Sequence, residues 1–467
     1  MTDHEIKNSS STEGLPVSPG LGPALQSAHV HKHMALVDRR VIWISLICAG
    51  LGCIATLVAQ CLSQLIGLVT NLFFYGKFST ALSSPANNTL GFWVIGIPVI
   101  GALIVGVMAR YGSKAIRGHG IPEAMEQILL NESKIPARIT LLKPISSAIA
   151  IGTGGPFGAE GPIIATGGAI GSLIGQVLET TAMERKTLLA AGAAAGMTAT
   201  FGSPISAVLL AIELLLFEFR PRSIIPVAIA AAVAAGLRVD LLGPAPAFQM
   251  PELHPTTSLA LMMYLIEGAL LGVLAVFVTK AVYWIEDTFE KIPIHWMWWP
   301  ALGAVAVGVI GVISPHTLGV GYDNIEHILS GEFIGTSLIL FCTLKFISWS
   351  IALGSGTSGG TLAPLFTIGG GAGAAIGTFL VSLFPQAQVD IRTAALIGMA
   401  ATFAGASRAL LASIVFAFET TRQPHALVPL LGACSISFLV SALLMRNTIM
   451  TEKLARRGHT VPTEYFA

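Results

Sequence analysis

Charged side chains are scarce in this sequence. Only 11% of its 467 residues are Asp, Glu, Lys or Arg, and 53% are hydrophobic, whereas about 25% charged residues is usual for soluble domains. A chain with so few charges cannot cover its whole surface with groups that favour water. This composition excludes an ordinary soluble enzyme or binding module, and it indicates an integral membrane protein.

An excess of charge of either sign is also absent, because the formal net charge is only +1. A nucleic-acid partner or a strongly acidic partner is therefore excluded. The five cysteines form no CxxC pair, and no histidine stands at metal-ligand spacing from them. We interpret them as small packing residues, and we expect neither a metal nor an organic cofactor. The cysteines are Cys48, Cys53, Cys61, Cys342 and Cys434.

Long uncharged runs are abundant. About 20 apolar residues suffice to cross a bilayer, and several of these runs are longer than one crossing. The sequence therefore predicts about ten or more membrane helices. Because it contains 50 glycines and 25 prolines, we expect some of those helices to be tilted or broken. The runs occupy residues 41–76, 78–109, 161–178, 188–212, 346–389 and 426–445.

Both ends of the chain are polar. Residues 1–38 contain no apolar signal segment, so we predict a disordered N-terminal tail rather than a signal peptide. Residues 451–467 form a second tail, which carries Lys453, Arg456 and Arg457. Basic residues beside membrane segments favour the cytoplasmic side, so we expect both termini there. Such short tails are expected of a protein of the bacterial inner membrane.

The sequence repeats itself. A shift of 202 positions superimposes glycines and prolines of residues 152–175 on those of residues 354–377. Duplicated halves with helices interrupted by Gly and Pro are typical of transporters, whose binding site lies between the halves near the middle of the membrane. We therefore predict one membrane repeat at 39–245, a proline-rich connector at 246–256 and a second repeat at 257–450.

Three short runs place glycines and a proline at the start of a hydrophobic helix: GHGIP (118–122), GAEGP (158–162) and GGTLAP (359–364). A helix that begins inside the membrane exposes unpaired N–H groups, and its dipole adds about half a positive charge there. Together these groups favour a bound anion. The competing interpretation is that the glycines are only kinks and packing positions.

These runs resemble the GSGIP, GREGP or GKEGP, and GGIFAP elements of the CLC family of chloride channels and chloride/proton exchangers, in the same order. The resemblance extends through residues 190–212 and 451–458. It implies an all-α CLC fold with two inverted pseudo-symmetric repeats, a voltage-gated anion pathway in each chain, and a homodimer in membrane lipid, with chloride as the bound ligand. The anion-binding residues it implies are Gly118, His119, Gly120, Ile121, Pro122, Gly158, Gly161, Thr361, Leu362, Ala363 and Met450.

Glu160 is the outstanding single candidate. An unpaired carboxylate in an uncharged membrane segment costs several kcal/mol and is retained mainly for function. The alternative is a buried acid that pairs with a basic neighbour. By the resemblance, Glu160 is the gating glutamate, whose carboxylate occupies the pathway like a permeant anion and leaves when it is protonated or displaced.

Several positions depart from the family pattern. His119 replaces the usual anion-coordinating serine, and it either donates to the anion or turns aside to the backbone. Leu362 and Met450 replace a phenylalanine and a tyrosine. Leu214, which follows Glu213, stands where the exchangers carry their internal proton-transfer glutamate. Since leucine cannot carry protons, we favour an uncoupled chloride channel or transporter.

Other functions remain open at this point. A chloride/proton antiporter would need another proton route, through Glu213 or near His119. A fluoride exporter of the CLC type is favoured by the altered positions, but Pro162 after Glu160 and Gly161 argues against it. The GxSxG pattern around Ser358, with His425 as base, formally allows an intramembrane serine hydrolase. We expect a non-enzymatic transporter.

Overall fold

The computed structural model describes residues 37–459 and residue 461. Over that part of the chain, seventeen α-helices are joined by turns and loops, and no β-strand is present. The all-α prediction is confirmed. The predicted tail at 1–38 lies outside the described residues except for its last two, and so does most of 460–467.

Within the described residues, eight helices make up the first half of the molecule. They are α1 (Arg39–Tyr75), α2 (Gly96–Val107), α3 (Ile121–Leu130), α4 (Ala137–Gly152), α5 (Glu160–Val177), α6 (Ala182–Phe201), α7 (Pro204–Ala211) and α8 (Pro221–Leu242). Local chemistry sets several of their ends. Thr181 and Glu184 form a capping box at the start of α6, and Gly202 ends that helix with φ +65°.

The second half contains eight helices in the same order, followed by one more. They are α9 (Ser258–Glu290), α10 (Trp299–Ile313), α11 (Tyr322–Leu329), α12 (Gly335–Gly354), α13 (Leu362–Leu383), α14 (Ile391–Ser407), α15 (Leu410–Thr421), α16 (Leu427–Leu444) and α17 (Glu452–Arg456). Helices α1 to α8 correspond one to one with α9 to α16. The predicted connector at 246–256 lies between α8 and α9.

In the part of the chain that the structure describes, eight helical segments are long and apolar enough to cross a membrane. They are Arg39–Tyr75, Gly91–Gly112, Pro221–Leu242, Ser258–Glu290, Trp296–Ile313, Gly335–Gly354, Leu362–Leu383 and Pro424–Leu444. Three shorter apolar helices, Pro204–Leu216, Ile391–Ser407 and Leu410–Thr421, accompany them. Eight is fewer than the predicted ten or more, because Gly and Pro divide apolar sequence into helices that are too short to cross alone.

The two halves run in opposite directions where they meet. Gly158 and Gly360, which correspond in the sequence repeat, form an antiparallel backbone bridge. The N–H of Gly360 donates to the carbonyl of Gly158 at 2.9 Å, and the N–H of Gly158 donates to the carbonyl of Gly360 at 3.4 Å. Equivalent segments that pair in this way are related by a local two-fold axis. The inverted, pseudo-symmetric repeat is therefore confirmed.

Glycine allows the central helices to touch. A Cβ on Gly167 of α5 would lie 2.2 Å from the carbonyl oxygen of Gly192 in α6, and a Cβ on Gly192 would lie 2.1 Å from the carbonyl oxygen of Gly167. In the second half, Gly369 of α13 and Gly398 of α14 approach each other in the same way. No larger residue fits at these crossings, which bring α5 and α13 close to the centre.

Two glutamates join the halves reciprocally. The carboxylate of Glu213 accepts hydrogen bonds from the amides of Leu411 and Ala412 at the start of α15, at 2.9 and 3.0 Å. The carboxylate of Glu419 accepts from the amides of Ile205 and Ser206 at the start of α7, at 3.0 and 2.8 Å. Each carboxylate thus satisfies unpaired N–H groups at a helix start in the opposite half.

Two buried lysines also correspond in the repeat. Lys143 of α4 donates to the carbonyls of Ile116 and Gly118, both at 2.8 Å. Lys345 of α12 donates to the carbonyls of Thr317 and Gly319, at 2.9 and 3.1 Å. The two side chains are 1% and 0% exposed. Both lysines are therefore held inside the protein, where each one anchors a loop.

Candidate anion site

Glu160 lies at the meeting point of the halves. It is the first residue of α5 and is 0% exposed. Its Oε1 accepts a hydrogen bond from the amide of Ala363 at 2.6 Å, and the amides of Leu362 and of Glu160 itself also donate to the carboxylate. The GAEGP and GGTLAP runs are thus brought together, and the carboxylate occupies the N-terminus of α13, where an anion would be favoured.

The glycines of these runs make room for the carboxylate. A Cβ on Gly158 would lie 2.0 Å from both carboxylate oxygens of Glu160, and a Cβ on Gly360 would lie 3.1 Å from Oε1. A side chain at Gly158 would therefore expel the carboxylate from this position. The antiparallel bridge between the two glycines fixes the backbone around it.

A residue that the sequence analysis missed holds the other carboxylate oxygen. The hydroxyl of Tyr322, the first residue of α11, donates to Oε2 of Glu160 at 3.1 Å. A shift of 201 positions superimposes GVGYD (319–323) on GHGIP, so Tyr322 corresponds to Ile121. The repeated Gly-x-Gly pattern would have identified GVGYD as a fourth run at a helix start, in addition to GHGIP, GAEGP and GGTLAP.

His119 lies beside the GAEGP run. A Cβ on Gly161 would lie 2.2 Å from the carbonyl oxygen of His119, so the two backbones touch. The imidazole is 5% exposed, and its Nδ1 has no hydrogen-bond partner among the described residues. Nδ1 therefore makes no bond to the backbone of the described residues, and the two roles considered for His119, an anion contact or a ring turned aside to the backbone, stay predictions. A buried polar atom without a partner is available to a ligand.

A cavity of about 540 Å³ opens next to His119. Acidic and basic side chains line it in similar numbers, and two ion pairs lie on its wall: Lys453 with Glu123 at 2.6 Å, and Arg457 with Glu126 at 2.6 Å. Burial alone would raise the pKa of Glu123, but the charges of Lys453, His119 and Lys143 hold the pKa of Glu123 well below its usual range. Glu123 is therefore an ionised, paired carboxylate on the wall of the cavity.

Three of the predicted amides are already paired with protein groups. The N–H of Gly118 donates to the carbonyl of Thr357 at 3.1 Å, that of Gly120 donates to Glu123 at 2.7 Å, and that of Gly158 takes part in the bridge to Gly360. An anion at these glycines would have to displace a protein acceptor. At the start of α13, by contrast, the amides of Leu362 and Ala363 donate to the Glu160 carboxylate, and the Thr361 hydroxyl has no partner among the described residues.

The remaining predicted ligands lie in different surroundings. Thr361 precedes α13, and its buried Oγ1 has no partner among the described residues. Ile121 and Pro122 are buried in the first turn of α3, and Pro122 has no N–H to offer. Met450 is 0% exposed. Its neighbour Ile449, and not Met450, lines the cavity.

The position that lacks the proton-transfer acid is apolar and closed. Leu214 is 4% exposed and lies in the π-helical turn Ile212–Leu216. Its neighbour Glu213 uses one carboxylate oxygen for each of two amides of α15. Neither residue offers a free acid at this place.

The residues of the hydrolase alternative are not assembled into a catalytic pair. The hydroxyl of Ser358 is within 2.9 Å of the Ser147 hydroxyl and 3.4 Å of the Ser146 hydroxyl. His425 is exposed, in a short 3₁₀ turn before α16. These hydroxyl neighbours are not bases that could activate the Ser358 hydroxyl as a nucleophile. Among the described residues, no group of three or more His, Cys, Asp or Glu side chains is placed to hold a metal ion.

Comparisons with known proteins agree with this architecture. A family model described as voltage gated chloride channel matches residues 100–442, well over half of the chain. The H(+)/Cl(-) exchange transporter ClcA of Salmonella paratyphi B is 28% identical over 442 residues, 90% of each chain. The putative chloride channel protein ClcB-like of Ralstonia nicotianae is 26% identical over 87% of this chain and 94% of that protein.

The chloride channel protein CLC-f of Arabidopsis thaliana is 29% identical over 75% of this chain, which spans about half (47%) of the plant protein. Among solved structures, a slow cyanobacterial Cl−/H+ antiporter superimposes with a TM-score of 0.80 at 22% identity, over 90% of this chain and 98% of that one. A CLC-type fluoride/proton antiporter gives 0.73 at 20% identity, over 87% and 97%. The chain is an integral membrane protein that belongs to the CLC family of anion channels and transporters.

Proposed function

We propose that this protein carries chloride and similar small anions across the membrane, and that the Glu160 carboxylate is the gate. One observation carries the proposal. The carboxylate is fully buried and accepts the amides of Leu362 and Ala363. A free anion would compete for the same N–H groups, because a carboxylate and a halide are both favoured at a helix N-terminus.

The donors around this position suit an ion that must bind and leave again. The amides of Leu362 and Ala363 carry partial charges, and the orphaned hydroxyl of Thr361 can add one neutral hydrogen bond. Among the described residues, no lysine or arginine forms an ion pair with the carboxylate, whose side-chain donor is the hydroxyl of Tyr322. The unpaired Nδ1 of His119 supplies a further group toward the cavity. In this arrangement, protonation or displacement of Glu160 opens the pathway.

We further propose that transport does not require proton exchange. Leu214 cannot carry a proton, and the carboxylate of Glu213 is occupied by the amides of Leu411 and Ala412. Release of Glu213 as a relay would leave the start of α15 without its acceptor. The relatives include both a channel by name and named exchangers, so the coupling of this chain has to be measured.

The test is chloride efflux from proteoliposomes that contain an internal pH dye, with the membrane voltage set by valinomycin. Uncoupled transport predicts chloride efflux without proton movement against its gradient. Uphill proton movement driven by chloride would overturn the uncoupled mechanism and establish an antiporter.

The gate is tested with Glu160→Gln. We expect the chloride flux of this variant at neutral pH to rise by about tenfold, because a neutral amide loses the charge-assisted bonds that hold the side chain in the pathway. Its flux should no longer change between about pH 4 and pH 8. Glu267→Gln is the matched control, since Glu267 is also 0% exposed and its carboxylate has no hydrogen-bond partner among the described residues. An unaltered pH profile in Glu160→Gln would refute the gate.

We place the protein in a bacterial inner membrane as a homodimer, with membrane lipid around it and one anion pathway in each chain. The basic residues Lys453, Arg456 and Arg457 support a cytoplasmic position for the C-terminal end. Mass measurement of the protein in lipid nanodiscs tests the assembly, and a single-chain mass would contradict it. Protease accessibility of the C-terminal end in inverted membrane vesicles tests the orientation.

A further inference from the structure

We propose that Tyr322 is the latch of the gate: its hydroxyl holds the Glu160 carboxylate in the pathway and thereby sets how readily the gate opens. This inference rests on the proposed role of Glu160. It starts from the 3.1 Å hydrogen bond to Oε2, opposite the 2.6 Å bond from Ala363 to Oε1. The two oxygens are therefore held by two different helix starts of the second half.

The ring of Tyr322 is fixed by aromatic neighbours. Phe201, the last residue of α6, meets it edge to face with ring centroids 5.6 Å apart. Phe248, from the stretch between the halves, lies against it at 6.1 Å. The two phenylalanines also contact each other at 6.0 Å. Contacts of this kind restrict the χ1 and χ2 rotations of the tyrosine, so the hydroxyl has a fixed place.

The backbone that carries Tyr322 is fixed as well. Gly319 and Gly321 have φ values of +68° and +72°, a region that favours glycine. Lys345 donates to the carbonyl of Gly319, whose own amide donates to the carbonyl of Gly154 at 3.1 Å. When Glu160 swings out of the pathway, the tyrosine cannot follow it. The hydrogen bond therefore belongs to the closed gate alone.

This restriction makes the bond a determinant of the opening equilibrium. A hydroxyl that donates to a carboxylate forms a charge-assisted bond, which is stronger than a bond between neutral groups. An interaction made in only one of two states shifts the population toward that state. Tyr322 consequently favours the ionised, closed gate over the open gate.

The other titratable groups near Glu160 do not replace this bond. Lys345 of α12 interacts electrostatically with Glu160, but its ammonium group is bonded to Thr317 and Gly319. His119, from the loop before α3, presents its backbone carbonyl to Gly161, next to the gate. The side-chain hydrogen bond that the described residues give to the carboxylate comes from Tyr322.

The test is Tyr322→Phe, which removes the hydroxyl and keeps the ring. We expect its chloride flux at neutral pH to rise by about tenfold, as expected for loss of a bond to a charged group, and the pH of half-maximal flux to move upward. Tyr264→Phe is the matched control. Its hydroxyl is likewise buried and bonded to backbone, to the carbonyl and amide of Asp390 at 3.3 and 3.0 Å, and its flux should equal that of the wild type.

The decisive comparison adds Glu160→Gln. If Tyr322 acts through the gate, the double variant Glu160→Gln/Tyr322→Phe should have the flux and pH profile of Glu160→Gln alone. If Tyr322→Phe raised the chloride flux of Glu160→Gln by the same factor as it raises the flux of the wild type, the latch would be wrong. If Glu160→Gln opens the pathway but Tyr322→Phe behaves as the wild type, the latch is wrong and the gate stands.

If Glu160→Gln itself leaves the pH profile of the flux unchanged, the gate assignment is wrong, and the latch that rests on it is wrong as well. Tyr322→Leu is the second variant should Tyr322→Phe be poorly folded. It keeps an apolar side chain against Phe201 and Phe248 and also lacks the hydroxyl, so the same upward shift in flux is expected. A flux below that of the wild type in a well-folded variant would overturn the latch.

Discussion

Two glycine-rich loops approach the gate from the two halves, and they share a backbone but differ in their side chains. Each loop is held by a buried lysine that binds two backbone carbonyl oxygens. Lys143 of α4 holds the GHGIP loop, and Lys345 of α12 holds the GVGYD loop. The duplicated part is therefore the anchoring of the backbone. The side chains at equivalent positions are free to diverge.

The divergence gives the two loops different chemistry. His119 corresponds to Val320, Ile121 to Tyr322, and Glu123 to Asn324. The first loop faces the charged cavity, where Glu123 pairs with Lys453. The second loop places a neutral hydroxyl on the gate. Two-fold symmetry of the backbone thus carries different chemistry in the two loops, with charged groups beside the first and a phenol on Glu160 at the second.

The largest effect is expected from loss of the anchors. Lys143→Met and Lys345→Met each leave two buried carbonyls without their donor, at a cost of about 1–3 kcal/mol for each group. We expect both variants to give little monodisperse protein after extraction in detergent, as measured by size-exclusion chromatography.

The control for the anchors is Lys280→Met, because Lys280 is exposed on α9. It should elute like the wild type. If Lys143→Met elutes like the wild type while Lys345→Met gives little monodisperse protein, the two anchors are not equivalent.

A smaller effect is expected at the position of His119. His119→Val makes the first loop like the second, and it removes the buried ring nitrogen that has no partner. We expect chloride affinity to fall by about tenfold, because one hydrogen bond to a charged ligand is lost. Isothermal titration with chloride measures this. Val320→Thr is the matched change in the other loop, and equal affinities for His119→Val and the wild type would contradict an anion contact.

The smallest effect is expected at Glu123. Glu123→Gln removes the ion pair with Lys453 and weakens the bond to the amide of Gly120, which together contribute about 1–2 kcal/mol at neutral pH. Because the pKa of Glu123 is lowered in the folded state, this stability is present above about pH 5 and is lost as the pH falls through the folded value.

Thermal unfolding in detergent at neutral and at acidic pH tests this sign. At neutral pH the wild type should unfold at a higher temperature than Glu123→Gln, and at acidic pH this difference should disappear. Asn324→Ala, which removes the bond from Asn324 to the carbonyl of His316 at 3.0 Å, should show a deficit that does not depend on pH. A pH-independent deficit in both variants would contradict the charge pairing of Glu123.

The sequence was sufficient to predict features that follow from composition and repetition. The uncharged runs predicted the membrane helices, and the 202-residue shift predicted the duplicated fold. Glu160 and the helix start at 361–363 were singled out by the helix-entry runs together with the family resemblance. All of these depend on local sequence, since helix starts, hydrophobic length and glycine content can be determined without tertiary contacts.

The contacts that cross between distant segments could not be predicted. Tyr322 is 162 positions from Glu160, and nothing in its own surroundings marks it as a partner of a carboxylate. Glu213 and Lys345 appeared in the sequence as isolated charges in apolar runs. Their partners are backbone amides and carbonyls, which every residue carries, so no side-chain pattern identifies them.

The reciprocal glutamates bear on the history of the chain. Glu213 reaches from the first half to α15, and Glu419 reaches from the second half to α7. An interface in which a residue of one partner makes the same contact as its counterpart in the other is that of a symmetric homodimer. Fusion of two copies of a gene, whose products paired through this glutamate, would leave this pair of bonds within one chain.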